Sequence, residues 1–300
     1  MVKKQFIRDL KSGSSVYSDF AVQRKVPPIQ YKNGFTFALD LTDKTGTVSL
    51  KYWGGRTREE VDQVYHSFEE SDVIRVKGKA SLYKDAMQIS VNPPSDTIEK
   101  AYNFDKADFL RASSRDIGDM QDELWRVIQK MDDTNIRRLL SNMFDDEELL
   151  AEYSKSPAAV RYHHNYEGGL LEHVLEMVRI ARSVADVHPE LDGDLLVAGC
   201  ILHDIGKIKT YRMDTTISFT DEGKLLDHIS IGYRMVADRI DMIDAFPNPQ
   251  RQKILHMILS HHGKREWGSP VEPQFPEATA LHHIDNMDAK LKMAIENANS

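Results

Sequence analysis

The hydrophobic period of this chain changes once, near Asn92–Asp96, and that change restricts it to two differently built parts. Before the change, apolar side chains recur at every second position, as half-buried strands require. From residue 106 onward they recur at i, i+3 and i+4, as helices require. In GFTFALDL (34–41), Phe35, Phe37, Leu39 and Leu41 alternate with Thr36, Ala38 and Asp40. TVSLKYW (47–53), DVIRVKGKASLY (72–83), MQISV (87–91) and a stretch near Val16–Val26 read as further strands, with a turn at Lys84–Ala86. Between them TREEVDQVYHSF (57–68) reads as a helix, with Thr57 placed to cap it and Val61, Val64, Tyr65 and Phe68 on one face. The two prolines of NPPSD (92–96) are expected to end the strand region.

This order, three strands, a helix and two strands, resembles the OB-fold. That fold is a five-stranded Greek-key barrel that binds single-stranded nucleic acid or oligosaccharide. On such a barrel Lys51 and Trp53 point outward, a pairing suited to phosphate attraction and base stacking, although Trp53 can equally pack on protein. A chain of 300 residues exceeds a typical single core. The expected division is a barrel at 1–95, a linker with a connecting helix at 96–134, and an all-α bundle at 135–300, a multidomain α+β protein. Helices are expected over 116–131 and, as one run, over 135–153.

Charge divides along the same line. Residues 1–100 carry 16 Lys and Arg against 13 Asp and Glu, whereas the whole chain has a net charge of −8. A mildly basic front and an acidic back fit a division of labour. No apolar run reaches membrane length without a charge. The N-terminus has no secretory pattern. The one cysteine, Cys200, suits a reducing compartment, so the cytoplasm is expected. A homo-oligomer is compatible with all of this.

Of 12 histidines only His66 precedes residue 160. His173 follows a Gly168–Gly169 break at the start of a helical pattern. LLVAGCILHDIGK (195–207) is an apolar helix ending in His203 and Asp204. A carboxylate directly after a buried run is costly unless compensated, and a divalent ion compensates it. Gly206 is expected to let the backbone turn sharply there, and Lys207 to reach a phosphate oxygen or lie as a solvated helix end. His228, the pair His261–His262, and Asp285 follow on further helical patterns. The intervals from His173 through His203, His228 and His261 to Asp285 are 30, 25, 33 and 24 residues, each about one helix plus a connection. Bundle cores build metal sites from such facing side chains. Imidazole with carboxylate suits Mn, Fe, Co, Ni or Zn better than Ca or Mg.

These residues resemble the HD-domain superfamily of metal-dependent phosphohydrolases, whose quartet is matched by His173, His203, Asp204 and Asp285. The resemblance implies that His228 and His261 add a second metal, with Asp204 bridging the two. His262 is then a further ligand or a phosphate contact. With the barrel, and with GGLLEH, ILHDIGK, LLDHI, SHHGKREWGSP and IDNMDAK in order, the chain resembles the YhaM-type 3′-to-5′ exoribonucleases. That resemblance implies hydrolysis of single-stranded RNA from the 3′ end, some action on single-stranded DNA, and a requirement for Mn or a similar ion. Asp204, Lys207 and His262 are the expected catalytic residues. His163, His164, Lys51, Trp53 and Trp267 join Lys207 and His262 as expected substrate contacts.

Several assignments stay open. His163 and His164 line the pocket or cap helix ends, Asp288 is an alternative ligand to Asp285, and Trp267 stacks on a base or fills an interface. His256, His282 and His283 are expected to be structural. Residues 211–224 suit a small hairpin, since Ile217 and Phe219 alternate with polar residues. Three other functions share the residues. A nucleotidase would turn over free nucleotides, a di-iron oxygenase would need oxygen, and a binding module with an inactive HD domain would leave bound RNA intact.

Overall fold

The computed structural model describes residues 3, 5–160 and 164–298, with the side chains of 296 and 297 excepted. Its residues form two compact units: Met1–Arg111 with Met213–Ser218, and Ala112–Arg212 with Phe219–Ser300.

The first unit is a barrel of β1 (Ser15–Tyr31), β2 (Gly34–Asp43), β3 (Gly46–Trp53), β4 (Val73–Tyr83) and β5 (Ala86–Val91), with α1 (Arg58–Tyr65) between β3 and β4. β1 closes the barrel because it is long enough to serve two partners. Its first half pairs antiparallel with β4 and its second half with β2. Register shifts after Val22 and Val26 bend it between them, and Pro27 and Pro28, which cannot donate to a ladder, fall at the second shift. β3 and β5 pair in parallel and complete the circuit. The alternating residues Phe37, Leu39, Leu41, Leu50, Ile74 and Ile89 all point inward and are fully buried. Thr57 stands at the N-cap of α1 but makes no side-chain cap bond.

Strand structure does not end at the prolines. β6 (Thr97–Lys100) returns to the same edge of β4 that β5 occupies, pairing Ile74–Lys77 after the 92–96 turn. Two prolines interrupt the ladder, and the chain rejoins it as soon as donors are restored.

The second unit is helical: α2 (Ile117–Gln129), α3 (Thr134–Phe144), α4 (Glu147–Lys155), α5 (Gly169–Val187), α6 (Gly193–Leu202) and the short α7 (Lys207–Thr210). A hairpin of β7 (Tyr211–Met213) and β8 (Ile217–Phe219) follows, then α8 (Asp221–Asp241), α9 (Asn248–Ser260) and α10 (Pro276–Ala298). The single helix expected over 135–153 is two, because Asp146 accepts from Leu149 N and caps a new start. α6 is buried at every position from Leu195 to Leu202. Burying each large aliphatic side chain is worth about 1.5–3 kcal/mol, so α6 is a fixed post for whatever follows it. No helix among the described residues is long and apolar enough to cross a membrane.

Candidate metal centre

The post ends in His203 and Asp204, both buried. His203 is the C-cap of α6, and its Nδ1–H donates to the Cys200 carbonyl at 2.9 Å. A carbonyl can only accept, so the proton sits on Nδ1 and the Nε2 lone pair is left for another partner. The same arrangement recurs around the site. His261, the C-cap of α9, donates Nδ1–H to the Ile258 carbonyl at 2.8 Å. His228 on α8 donates to Asp227 Oδ1 at 2.6 Å, and His173 on α5 to Asp288 Oδ2 at 2.6 Å. Each imidazole is thereby fixed in tautomer and orientation, as ligating histidines are.

The Nε2 atoms converge on two carboxylates. His173 Nε2 lies 3.2 Å and His203 Nε2 3.9 Å from Asp285 Oδ1. The two oxygens of Asp204 are shared out. Oδ2 lies 3.1 Å from His203 Nε2 and 2.6 Å from Lys207 Nζ, while Oδ1 lies 3.4 Å from His228 Nε2 and 3.6 Å from His261 Nε2. Ligand atoms about 2.0–2.2 Å from a shared ion stand about 3.0–3.6 Å apart, and most of these separations match. Nε2 of His203, His228 and His261 and Oδ1 of Asp204 are buried without a hydrogen-bond partner. Four such atoms facing one another would be costly in a protein interior unless a cation joined them. The donor set therefore fits a divalent ion, and these His/Asp clusters are able to hold one.

Electrostatics agree. Burial works to raise the Asp204 carboxyl, but the neighbouring His203 and Lys207 outweigh it and hold it well below its ordinary value. Burial likewise opposes the charge on Lys207, and Asp204 restores it. Burial lowers His261 well below the usual imidazole value, so it is neutral and free to ligate. Burial works to raise the Asp285 and Asp288 carboxyls, but the facing histidines, His173 and His203 for Asp285 and His164 and His173 for Asp288, outweigh it, and both stay ionised.

The remaining expected residues are placed as follows. Lys207, only 9% exposed, lies against Asp204 at the end of the post. His262 is half-buried, with a ring nitrogen within 4.8 Å of those of His228 and His261, and its Nδ1–H donates to the Trp267 carbonyl. Trp267 is 50% exposed beneath Lys264 Nζ at 4.7 Å. His164 is fully buried behind His173, with Nε2 at 3.4 Å from both Asp288 Oδ2 and Glu176 Oε2. His163 lies outside the described residues. Asp288, weighed as a ligand in place of Asp285, stands behind His173 at Nδ1. His282 donates to the carbonyl of His261.

Gly206 has φ −63°, so no special turn requires it. Its need is steric: a Cβ there would lie 2.0 Å from the His228 carbonyl oxygen and 2.5 Å from Gly232 N. Sequence reasoning also passed over Asp227 and Tyr31. Asp227 was signalled only by its adjacency to His228.

On the barrel of the first unit, Lys51 Nζ sits 5.6 Å from the Trp53 ring centroid, and Tyr31 meets Trp53 edge-on at 5.3 Å. Lys51 and Trp53 alternate with the buried Leu50 and Tyr52, so both lie on the outer face. A cation over one of two adjoining half-exposed rings suits base stacking beside phosphate attraction.

Residues 170–290 match the family model of the HD domain, and residues 23–94 that of the OB-fold nucleic acid binding domain. The 3′-5′ exoribonuclease YhaM of Bacillus subtilis (strain 168) is 36% identical over 267 residues, 87% of this chain and 81% of that protein. The chain belongs to the YhaM family. Its YhaM relative in Shouchella clausii (strain KSM-K16) is 33% identical over 290 residues, spanning 96% of this chain and 87% of the relative. That of Listeria monocytogenes serotype 4b is 33% identical over 265 residues, 87% and 81% of the two chains. A YhaM-family chain that carries these His/Asp clusters is a metal-dependent nuclease, and its OB-fold domain binds nucleic acid.

Proposed function

We propose that this enzyme shortens single-stranded RNA from its 3′ end, releasing nucleoside 5′-monophosphates, with two divalent ions of which manganese is the first choice. The RNA substrate and the direction come from the activity named for its relatives. The observation that carries the two-ion reading is the division of Asp204, whose Oδ2 faces His203 and whose Oδ1 faces His228 and His261. In this reading His173, His203 and Asp285 would hold one ion, His228 and His261 the other, and Asp204 would serve both.

Divalent ions bound there supply Lewis acidity toward phosphoryl oxygens and a water nucleophile at neutral pH, so no protein nucleophile is needed. The chain's own groups do the rest. Lys207, kept charged by Asp204, offers its ammonium to the phosphate. His262, held by the Trp267 carbonyl and half-buried where His228 and His261 are buried, offers its other nitrogen to the same phosphate. Trp267, with Lys264 above it, provides a face for the terminal base. Lys51, Trp53 and Tyr31 hold other nucleotides of the strand, on DNA as well as RNA. Cys200 is a buried free thiol, which suits a reducing compartment, and we assign the enzyme to the cytoplasm.

The test is digestion of one single-stranded RNA, labelled at either end, in the presence of manganese. Immediate mononucleotide from the 3′ label, with a ladder of shortening 5′-labelled products, is expected. Internal cuts or first release from the 5′ label would overturn the direction. Faster turnover of free nucleotides than of the oligonucleotide would make it a nucleotidase.

A further inference from the structure

Helix α8 is broken once. Asp227 has φ 61° and ψ 155° inside an element that is otherwise helical. This is a region that glycine occupies freely and that a side chain enters only under strain. The residue there is nevertheless an aspartate, in the segment Leu225-Leu226-Asp227-His228.

Backbone geometry alone would be better served by glycine. What the aspartate adds is Oδ1, which accepts from Ile229 N at 3.2 Å, opening the second half of the helix, and from His228 Nδ1 at 2.6 Å. Asparagine or serine would satisfy the first bond. The second demands an acceptor strong enough to hold the imidazole with Nδ1 protonated and Nε2 toward Asp204 Oδ1, 3.4 Å away. The break also fixes where the new helix starts, and the His228 carbonyl lies so close to Gly206 that no Cβ fits between them. His228 is therefore held from two sides, its backbone by Gly206 and its ring by Asp227.

We propose that Asp227 is a positioning residue: its strained backbone is retained because its carboxylate aims His228 at the second ion. The proposal rests on the two-ion reading above. It assigns the ion at His228 and His261 a ligand whose orientation is set locally, by the preceding residue.

The test uses the full chain and manganese alone, in D227G, D227A, D227N and H228A. Binding isotherms are expected to show one ion held as in the parent and the other weakened about 10- to 100-fold in D227G and D227A. D227N, which keeps an acceptor oxygen, is expected to recover part of that loss. Without metal, D227G should melt about 2–4 °C above D227A, the reverse of the ordinary Ala-over-Gly order in helices. H228A should lose the second ion altogether.

Two manganese ions bound by D227G and D227A with parental affinity, while H228A loses one, would overturn the positioning role and leave the two-ion reading intact. Two ions retained by H228A would overturn both. A D227A protein melting at or above D227G would remove the strain from the argument and overturn it on that ground.

Discussion

His173 stands between two aspartates, its Nδ1 2.6 Å from Asp288 Oδ2 and its Nε2 3.2 Å from Asp285 Oδ1. The two carboxylates are three residues apart on α10, so one helical turn supplies both the group beside the metal position and the group behind the imidazole. Removing the rear one should be felt at the front. D288N is expected to weaken manganese binding about 10- to 100-fold with the fold intact by circular dichroism. Unchanged affinity in calorimetry would mean that the ring is held by its packing alone.

Lys207 tests what neutralises Asp204. In K207M the carboxylate keeps its burial but loses its ammonium partner, a change that costs about 3–5 kcal/mol for a buried pair. The metal-free variant should melt lower than the parent. Saturating manganese should raise its melting temperature by more than it raises the parent's, because the ions take over the neutralisation. Equal shifts in thermal melts would show that Lys207 contributes little to the charge balance.

The outer barrel face makes a separate prediction. W53A should weaken binding of single-stranded RNA about 5- to 150-fold, the equivalent of about 1–3 kcal/mol for a lost stacking contact. K51A should lower the salt dependence of binding by about one ion. Fluorescence anisotropy at several salt concentrations measures both, and manganese binding should be unaffected in either variant.

Acid stability is written in a different cluster. Burial alone would raise the Glu123 carboxyl, but hydrogen bonds from Arg179 and Arg115 outweigh it and hold it below the ordinary value. A carboxyl lowered in the folded state stabilises at all pH above its unfolded value of about 4.3, and loses that contribution as pH falls through the lower folded value. E123Q should therefore melt below the parent at pH 7, with the gap closing below about pH 4. A gap independent of pH in melts from pH 3 to 7 would place the effect in packing.

What the amino-acid order disclosed, and what it hid, follows the range of the interactions. The alternation of Phe37, Leu39 and Leu41 and the unbroken apolar run before His203 are local, and each appears in the fold where the periodicity places it. The spacing of His173, His203, His228, His261 and Asp285 implied separate helices, and these side chains do meet. The break at Asp145–Asp146 was hidden because apolar periodicity continues across it while the carboxylate caps a new helix. β6 was hidden by the prolines before it, which stop a ladder only where they stand. The reasons for Asp227 and Gly206 were hidden at greater depth: one is strained and the other small because of what lies opposite them in space, and Gly206 was legible only as a supposed turn. Asp288 shares that difficulty, since nothing in a helical repeat tells a ligand from the group that steadies one.

α10 contributes Asp285 and Asp288, and the other candidate ligands lie on elements made well before it. During synthesis, then, His173, His203, Asp204, His228 and His261 exist for some time without the carboxylates that complete their surroundings.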